Sequence, residues 1–339
     1  MQTKRSNAPQ PPRQLPAWQL FLIDFALVGI CLLVFALFDH VIQVRKQAVP
    51  VMQSAAEPTP AAPQTVAVDQ AQPEATVAPA VGDFSQKFAD KFTDGEIIQT
   101  EDSYRSANLN VTLTRHEFDV EGYHEVMFVQ DIYIRNIECL RTVFAKDNFG
   151  KAITEDFMSM SDRAVAVAAV NADFYSHNSL GVVIRNGVMY RDTWAPDLQV
   201  LVIFRDGTMK VYRTEAEFNT KEVMDAGAWQ AFTFGPGLLD GNGNLLPEGY
   251  ESTNHNPRTI IGMVEPGHYM FIVIDGRQGG YSDGMTYKGS ARICQELGCQ
   301  MAFNLDGGKT SQMSFQGHVA NHPYSGGRDT SDIVYVAEP

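Results

Sequence analysis

The feature that most constrains the fold of this 339-residue chain is a series of paired apolar stretches between residues 181 and 277. Each pair surrounds a short polar or glycine-containing turn, and an Asn-Gly turn between alternating apolar residues is the strongest short-range signal for a β-hairpin. Four hairpins in about 100 residues predict a sheet rich in antiparallel strands. The turns are predicted at Asn186-Gly187, Asp206-Gly207, Asn242-Gly243 and Pro266-Gly267.

Strand and helix patterns also surround these hairpins. Alternation of apolar and polar residues or short buried apolar runs predict strands over 108–118, 125–134, 163–171, 300–308 and 332–336. Apolar residues at helical spacing predict helices over 84–92 and 286–298, the second ending at Gly298. We therefore expect an α+β fold, with an antiparallel-rich mixed β-sheet and packed helices.

The first 82 residues divide into three segments of contrasting composition. Residues 1–14 are polar and basic, residues 15–44 are apolar, and residues 45–82 are rich in Ala and Pro. About 20 apolar residues span a bilayer as a helix, so 15–44 is predicted to be a transmembrane signal anchor. A cleaved signal peptide and a buried helix are the alternatives.

The predicted anchor sets the expected location of the rest of the chain. The basic residues of segment 1–14 favour a cytoplasmic tail, by the positive-inside rule. The composition of 45–82 cannot bury enough apolar surface to order a chain, which predicts a disordered linker. We therefore expect a single-pass protein of the cell membrane whose catalytic domain, residues 83–339, lies outside the cytoplasm.

Charge and cysteine content exclude some classes of protein. The formal charge is −14, from 40 acidic and 26 basic residues, and no cluster of Lys and Arg appears. Nucleic-acid binding is therefore not expected, because neutralising phosphates needs such clusters. The four cysteines form no CxxC pair, which argues against a zinc framework or a disulfide scaffold. Cys294 and Cys299 are either a disulfide pair or two buried thiols.

Four polar turns follow strongly apolar strands, at 171–175, 234–237, 274–277 and 304–308. Asp275 and Asp306 each end a predicted buried strand, on opposite sides of the helix over 286–298. If those two strands run parallel, both carboxylates emerge at the same edge of the sheet, where open sheets bind ligands. An Asp-Gly pair is also common in simple turns, and Asp206-Gly207 is interpreted as only a turn.

The motifs in these turns resemble those of a known family. NADFY, FGPGLL, NPRTIIG, VIDGRQGGYSDGMT and AFNLDGGKTSQM occur in this order between residues 171 and 313. This set resembles the phosphodiester glycosidase family, which includes the enzyme that removes N-acetylglucosamine from a phosphodiester, and the resemblance covers about residues 100–337. Two positions depart from the family pattern, which usually reads NG at the first motif and LDGGGS at the last. Here Ala172 follows Asn171, and Lys309 takes the position of the third glycine.

The resemblance implies hydrolysis of the glycosidic bond in a sugar phosphodiester, which releases a sugar from a phosphate-linked glycan or polymer. Cleavage at the acetal carbon passes through an oxocarbenium-like state, so carboxylates are expected beside the sugar. Arginines are expected at the phosphate, which they bind through forked hydrogen bonds. The candidate catalytic residues are Asp306 as the central carboxylate, Asp275 and Asp173. The candidate substrate-binding residues are Asn171, Gly235, Arg258, Arg277, Asn304, Gly307, Gly308, Thr310, Ser311 and Arg328.

Alternatives remain open for the chemistry. A divalent cation, Ca²⁺ or Mg²⁺, could bind to Asp173, Asp275 and Asp306 through oxygen ligands, although no EF-hand or HExxH spacing is present. The chain could then be a metal-dependent phosphodiesterase that cleaves the P–O bond. A non-catalytic, membrane-anchored glycan-binding module is the third possibility. The expected partners are a sugar-phosphodiester or cell-envelope glycan substrate and the membrane.

Overall fold

The computed structural model describes residues 82–246 and 253–339. The predicted tail 1–14, the predicted anchor 15–44 and all of the predicted linker except its last residue lie outside the described residues. Within the described ranges, no helix is long and apolar enough to cross a membrane.

Short strands dominate the described residues, with three short α-helices between them. The helices are α1 (Phe157–Arg163), α2 (Thr220–Asp225) and α3 (Tyr287–Glu296). The strands of the first half are β1 (Ile98–Gln99), β2 (Ser103–Arg105), β3 (Leu109–Val120), β4 (Tyr123–Ile134), β5 (Leu140–Phe144), β6 (Ala168–Asn171), β7 (Gly181–Arg185), β8 (Val188–Thr193) and β9 (Gln199–Phe204). Those of the second half are β10 (Met209–Tyr212), β11 (Ala228–Phe234), β12 (Gly237–Asp240), β13 (Arg258–Glu265), β14 (His268–Ile274), β15 (Met301–Asn304), β16 (Met313–Phe315), β17 (His318–Val319) and β18 (Asp332–Val336).

The strands form three sheets. The largest has eight strands in the order β1-β2-β3-β4-β14-β13-β15-β12. The other two have five strands each, in the orders β10-β9-β11-β7-β8 and β17-β16-β6-β18-β5. Adjacent strands are antiparallel throughout the described sheets, as in β14 with β4 and β18 with β6. The predicted antiparallel sheet is therefore confirmed, whereas the expectation of a mixed sheet is wrong.

Three of the four predicted hairpins are present, formed by β7–β8, β9–β10 and β13–β14. In the fourth, predicted over 231–246, the turn at Asn242-Gly243 is present, because Leu239 and Leu245 form an antiparallel bridge across it. The start of the predicted segment is wrong, because β11 belongs to a five-stranded sheet and β12 to the eight-stranded sheet. The segment Phe234–Gly237 carries the chain from one sheet to the other. Apolar alternation shows that both strands are buried but does not specify their partners.

The two predicted helices have different outcomes. The helix predicted over 286–298 is confirmed as α3, whose N-cap Thr286 accepts a hydrogen bond from the Gly289 N–H. Residues 84–92 instead form turns and a short 3-10 helix, although Phe84 and Phe88 are buried as their spacing indicates. Tertiary packing rather than helix propensity decides the conformation of so short a segment.

All three sheets contribute to one hydrophobic core. Phe271 and Phe303 come from the eight-stranded sheet, and Phe232 and Val334 come from the two smaller sheets. Burial of each such side chain stabilises the fold by about 1.5–3 kcal/mol. Cys294 and Cys299 are unpaired, buried thiols, which excludes the disulfide between them. Burial raises the pKa of the Cys299 thiol to about 12, which keeps it protonated and unreactive.

The strands that precede Asp275 and Asp306 run in the same direction. β14 and β15 are both antiparallel to β13, which lies between them. The predicted parallel direction is therefore correct, but the two strands are not adjacent. Both aspartates follow the same end of the sheet, and this end carries the site described next.

Candidate active site

A cavity of about 340 Å³ opens at this end of the eight-stranded sheet. Its walls come from parts of the chain that are far apart in sequence. They are the turn after β15 (Asn304, Asp306, Gly307, Gly308 and Lys309), the start of β13 (Asn256 and Arg258), Arg277 after β14, and Phe234, Tyr287 and Arg328. Seven of the residues predicted from the sequence therefore meet in one cavity.

Asp306 is the carboxylate of this cavity. Its residue surface is only 7% exposed, and its backbone N–H donates to the Ala172 carbonyl at 3.2 Å. Burial raises the pKa of Asp306, and the nearby Arg328 guanidinium opposes that shift. Arg328 Nη2 donates to Asp306 Oδ2 at 2.9 Å. Asp306 therefore lies in the cavity wall as half of a partly buried ion pair.

The partner of Asp306 is held by two further contacts. Arg328 Nε donates to the hydroxyl of Thr310. The Arg328 guanidinium also lies over the Phe174 ring, 5.2 Å from its centroid. Thr310 itself is buried and does not line the cavity, so its contact acts on the position of Arg328.

Arg258 is the deepest cation of the cavity, and only 4% of its surface is exposed. Its Nε donates to the Met285 carbonyl at 2.7 Å, and its guanidinium lies 3.9 Å from the Tyr287 ring centroid. No carboxylate of the described residues forms an ion pair with Arg258. Loss of hydration lowers the pKa of Arg258, and the charge of Arg277 lowers it further. A buried cation without a counter-charge is a site for an anion.

Arg277 lies at the exposed rim of the cavity. Both Nε and Nη2 donate to Asn256 Oδ1, at 3.0 and 2.7 Å, which fixes the plane of the guanidinium. The backbone of Arg277 has φ of 59°, in the left-handed region that non-glycine residues rarely adopt. Such backbone conformations are common at binding sites, where surrounding contacts hold them.

The glycines after Asp306 are required by close contacts within the protein. A Cβ on Gly307 would lie 2.8 Å from the Pro257 carbonyl oxygen. Gly308 has φ of +69°, and a Cβ there would lie 3.1 Å from Arg277 Nη1. The two glycines thus let the Asp306 turn pack against the arginine segments of the cavity.

Two asparagines that were predicted to bind substrate hold the backbone of the site. Asn171 Nδ2 donates to the Asp306 carbonyl at 2.8 Å, away from the cavity. Asn304 Nδ2 donates to the Gly235 carbonyl at 3.0 Å, which accounts for Gly235 beside the site. The other amide atom, Asn304 Oδ1, is buried without a hydrogen-bond partner among the described residues. Ser311 is buried as well and does not line the cavity.

The structure does not place Asp173 in the cavity. Its side chain is fully buried, and Asp173 Oδ1 forms an ion pair with Arg185 Nη2 at 3.0 Å. Arg185 Nε in turn donates to Asp332 Oδ2 at 2.7 Å. The expectation that Asp173 faces the substrate is therefore contradicted, because Arg185 holds this carboxylate inside the protein.

Asp275 is also held away from the cavity. It is 1% exposed and accepts hydrogen bonds from Asn321 Nδ2 at 2.7 Å and from Tyr281 Oη at 3.0 Å. Burial raises the pKa of Asp275, and the Asn321 amide opposes this. Asp275 follows the predicted strand end, but its side chain ties the segment around Asn321 to the sheet.

Sequence reasoning missed four residues of the cavity as site candidates. Asn256 precedes Arg258 in the NPRTIIG motif, so the motif already contained a signal for it. Lys309 was noticed as a departure from the family pattern but was not assigned a role. Phe234 begins the FGPGLL motif and the predicted turn at 234–237, whereas nothing in the local sequence of Tyr287 indicates that it lines the site.

The three aspartates considered as metal ligands do not form one group. In the parts of the chain that the structure describes, no three or more His, Cys, Asp or Glu side chains are close enough to hold a metal ion. The lining of the described cavity has one carboxylate beside four cationic side chains. This donor set does not fit Ca²⁺ or Mg²⁺, which bind several oxygen ligands.

A match to a family model identifies the family of this chain. The family model for phosphodiester glycosidases matches residues 164–337, which is half of the chain and contains Asp306 and all three cavity arginines. The chain belongs to the phosphodiester glycosidase family. The resemblance first seen in five short motifs is thereby confirmed, and it includes the whole turn from Asn304 to Lys309.

Two proteins are similar to this chain, one in sequence and one in fold. An SPbeta prophage-derived uncharacterized protein, YomE, of Bacillus subtilis (strain 168) is 32% identical over 203 residues, or 56% of this chain and 31% of that protein. The chain therefore spans about a third of the length of this curated relative. The zebrafish N-acetylglucosamine-1-phosphodiester alpha-N-acetylglucosaminidase catalytic domain, auto-inhibited by its pro-peptide, matches with a TM-score of 0.54 and 17% identity. That match covers 72% of this chain and 88% of the zebrafish chain, and it shows a shared fold.

Proposed function

We propose that this chain hydrolyses the glycosidic bond of a sugar phosphodiester, with the sugar beside Asp306 and the phosphate bound by arginines. The observation that carries the proposal is the composition of one cavity. A partly buried carboxylate there lies beside three arginines, and two of them, Arg258 and Arg277, have no ion-pair partner among the described carboxylates. A sugar phosphodiester supplies the anion that these arginines lack and the acetal carbon that a carboxylate can act on.

The phosphate side of the reaction is assigned to Arg258, Arg277 and Arg328. Arg258 is buried, and a buried charge is costly unless a counter-ion and hydrogen bonds compensate it. Phosphate oxygens accept forked hydrogen bonds from guanidinium groups, which fits the planar, fixed side chains of Arg258 and Arg277. The leaving group is a phosphomonoester whose second pKa is about 6, so it can depart without a strong general acid to protonate its oxygen.

The sugar side is assigned to Asp306. Cleavage at the anomeric carbon develops positive charge on the sugar, which a nearby carboxylate stabilises or relieves by activating water. Most glycosidases use a second carboxyl group as a general acid. Among the described residues that line the cavity, Asp306 is the single carboxylate. Arginines that bind the departing phosphate stabilise its negative charge. In other glycosidases a general acid stabilises the leaving group by protonating it.

Hydrolysis in oxygen-18 water tests the position of bond cleavage. The full chain is assayed against a panel of sugar phosphodiesters and nucleotide sugars, and the products are analysed by mass spectrometry. We expect the label in the anomeric hydroxyl of the sugar and none in the phosphate. Label in the phosphate instead supports the P–O-cleaving phosphodiesterase, and binding of glycans without any turnover supports the glycan-binding module.

We also propose that the reaction needs no divalent cation. Four cationic side chains surround the one carboxylate of the described cavity, so their charges repel a divalent metal ion there. The experiment compares turnover in EDTA with turnover in added Ca²⁺ or Mg²⁺. A loss of activity in EDTA that Mg²⁺ restores contradicts the proposal.

The location of the reaction is proposed from the sequence. The basic residues before the apolar run 15–44 support a cytoplasmic N-terminus and a catalytic domain outside the cytoplasm. A cell-envelope glycan with phosphate-linked sugars is then the natural substrate. The test is digestion of intact cells by an added protease, which removes the catalytic domain only if it lies outside the membrane.

A further inference from the structure

The cavity carries more positive charge than a single phosphodiester neutralises. Its lining contains Arg258, Arg277, Lys309 and Arg328 against the one carboxylate of Asp306. That leaves an excess of three positive charges in a chain whose formal net charge is −14. A phosphodiester carries one negative charge because neither of its ester oxygens can ionise. One phosphodiester therefore does not account for all of the excess positive charge in the cavity.

The four cations lie at two depths. Arg258 is buried beside Tyr287, and Arg328 is paired with Asp306, so these two belong to the inner part of the cavity. Arg277 and Lys309 are exposed at its rim. Both rim residues line the same cavity, where Gly308, next to Lys309, packs against the Arg277 guanidinium.

The rim cations have no carboxylate partner among the described residues. Arg277 donates to the neutral amide oxygen of Asn256, and none of the ion pairs of the described chain includes Arg277 or Lys309. An anion bound between two unpaired cations that line one cavity is attracted by both. Asn256 and the left-handed backbone of Arg277 hold the guanidinium at the rim.

We propose that the substrate carries a second anionic group on its leaving-group side, bound at the rim by Lys309 and by Arg277, which lies between this group and the scissile diester in the inner part. This inference rests on the proposed function, since the first anion is taken to be the diester. The ligand chemistry is that of two phosphates close together, as in a diphosphate or in neighbouring units of a phosphate-linked polymer.

The test compares the binding of three probes to the full chain by ligand-observed NMR. Dimethyl phosphate is the diester with one charge, pyrophosphate has two directly linked phosphates, and glycerol 1,3-bisphosphate separates two phosphates by a carbon chain. The variant Lys309→Gln removes the rim ammonium. Lys151→Gln is the matched control, because Lys151 is also exposed but does not line the cavity.

We expect Lys309→Gln to weaken the binding of the two-phosphate probes by about fivefold at low salt, in the range of an exposed charge pair. Its affinity for dimethyl phosphate should stay unchanged, and Lys151→Gln should leave all three affinities as in the wild type. The two-phosphate probe that binds more tightly identifies the spacing, pyrophosphate for a diphosphate and glycerol 1,3-bisphosphate for a polymer. Equal weakening of all three probes, or no weakening of any, overturns the proposal.

The outcome is separable from that of the proposed function. If no sugar phosphodiester is hydrolysed but Lys309→Gln selectively weakens the two-phosphate probes, the glycosidase proposal fails and the second anion site stands. If hydrolysis occurs at the anomeric carbon and Lys309→Gln has no charge-dependent effect, only the second anion site is rejected.

Discussion

Two clusters of arginine and carboxylate in this molecule have the same chemical groups and opposite surroundings. In the sealed cluster, Arg185 is buried between Asp173 and Asp332, with Asp173 at 3.0 Å and Asp332 at 2.7 Å. In the open cluster, Arg328 pairs with Asp306 at 2.9 Å at the wall of the cavity. The distances are nearly equal, but the Arg328 side chain is 41% exposed and that of Arg185 only 2%.

The difference shows what each cluster can do. The sealed cluster satisfies its arginine with two internal carboxylates and stacks it on the Phe232 ring, 4.5 Å from the centroid, so no ligand can reach it. The open cluster borders the cavity, whose lining has one carboxylate and four cationic side chains, so its charges are available to a ligand. We therefore expect changes in the sealed cluster to affect folding and changes in the open cluster to affect activity.

The largest effect is expected from breaking the sealed cluster. Arg185→Met leaves two buried carboxylates without a counter-charge, which costs about 3–5 kcal/mol of folding free energy. Arg328→Met is the matched control, and its partly buried pair, in which the arginine remains 41% exposed, should contribute about 1 kcal/mol. Urea unfolding followed by circular dichroism measures both. Equal losses in the two variants would show that the clusters do not differ in the way described.

Next in size is the loss of the Asp306 carboxylate. Asp306→Asn keeps the shape of the side chain but removes the charge, and we expect kcat to fall by about 100-fold to 1000-fold. The melting temperature should change little, since the residue lies at a cavity and not in the core. Asp173→Asn is the control in the sealed cluster, where stability should fall first. Retention of full activity by Asp306→Asn removes Asp306 from the catalytic role.

A smaller effect is expected at Arg258, the most buried arginine of the cavity. Arg258→Lys keeps the charge but loses the fork and the contact with Tyr287, so KM should rise about tenfold with a smaller change in kcat. Arg292→Lys, on the exposed surface with a salt bridge to Glu121, serves as the control. An unchanged KM in Arg258→Lys argues that the phosphate binds elsewhere.

The smallest effect concerns the buried carboxyl of Glu125, which forms no ion pair with an arginine among the described residues. Glu125 Oε2 accepts from the Gly284 N–H at 3.0 Å, and Oε1 lies 3.7 Å from His255 Nδ1. Burial raises the pKa of Glu125 from its usual 4.5 to about 7. Between these values Glu125 is deprotonated in the unfolded chain and still protonated in the folded chain, so its contribution to stability is fully present below pH 4.5 and is lost as pH rises towards 7.

Thermal unfolding across this pH range compares the wild type with Glu125→Gln and with the exposed control Glu96→Gln. As pH rises through this range, the melting temperature of the wild type should fall relative to that of Glu125→Gln, and Glu96→Gln should follow the wild type. Identical slopes in the wild type and Glu125→Gln would mean that Glu125 ionises normally despite its burial.

Sequence reasoning predicted many of the residues that line one cavity, but two of its three candidate carboxylates lie elsewhere. Asp306, Gly307 and the three arginines were predicted and lie at one cavity, because motifs at strand ends specify where the backbone turns. The predicted catalytic roles remain predictions until they are tested. Asp173 and Asp275 were predicted by the same reasoning and are buried elsewhere. A strand end specifies the position of a side chain along the sheet and not the direction in which it points.

The hairpins β7–β8, β9–β10 and β13–β14 and the helix α3 follow from the sequence alone, since turn chemistry and apolar spacing are local properties. Only the tertiary structure decided which aspartate meets the cavity. Arg185, from β7, binds Asp173, and Asn321, near the C-terminus, binds Asp275. Asp306 is left at the surface of the cavity because its own partner, Arg328, is exposed there. Partners that are distant in sequence determine the orientation of each carboxylate, and no local pattern contains that information.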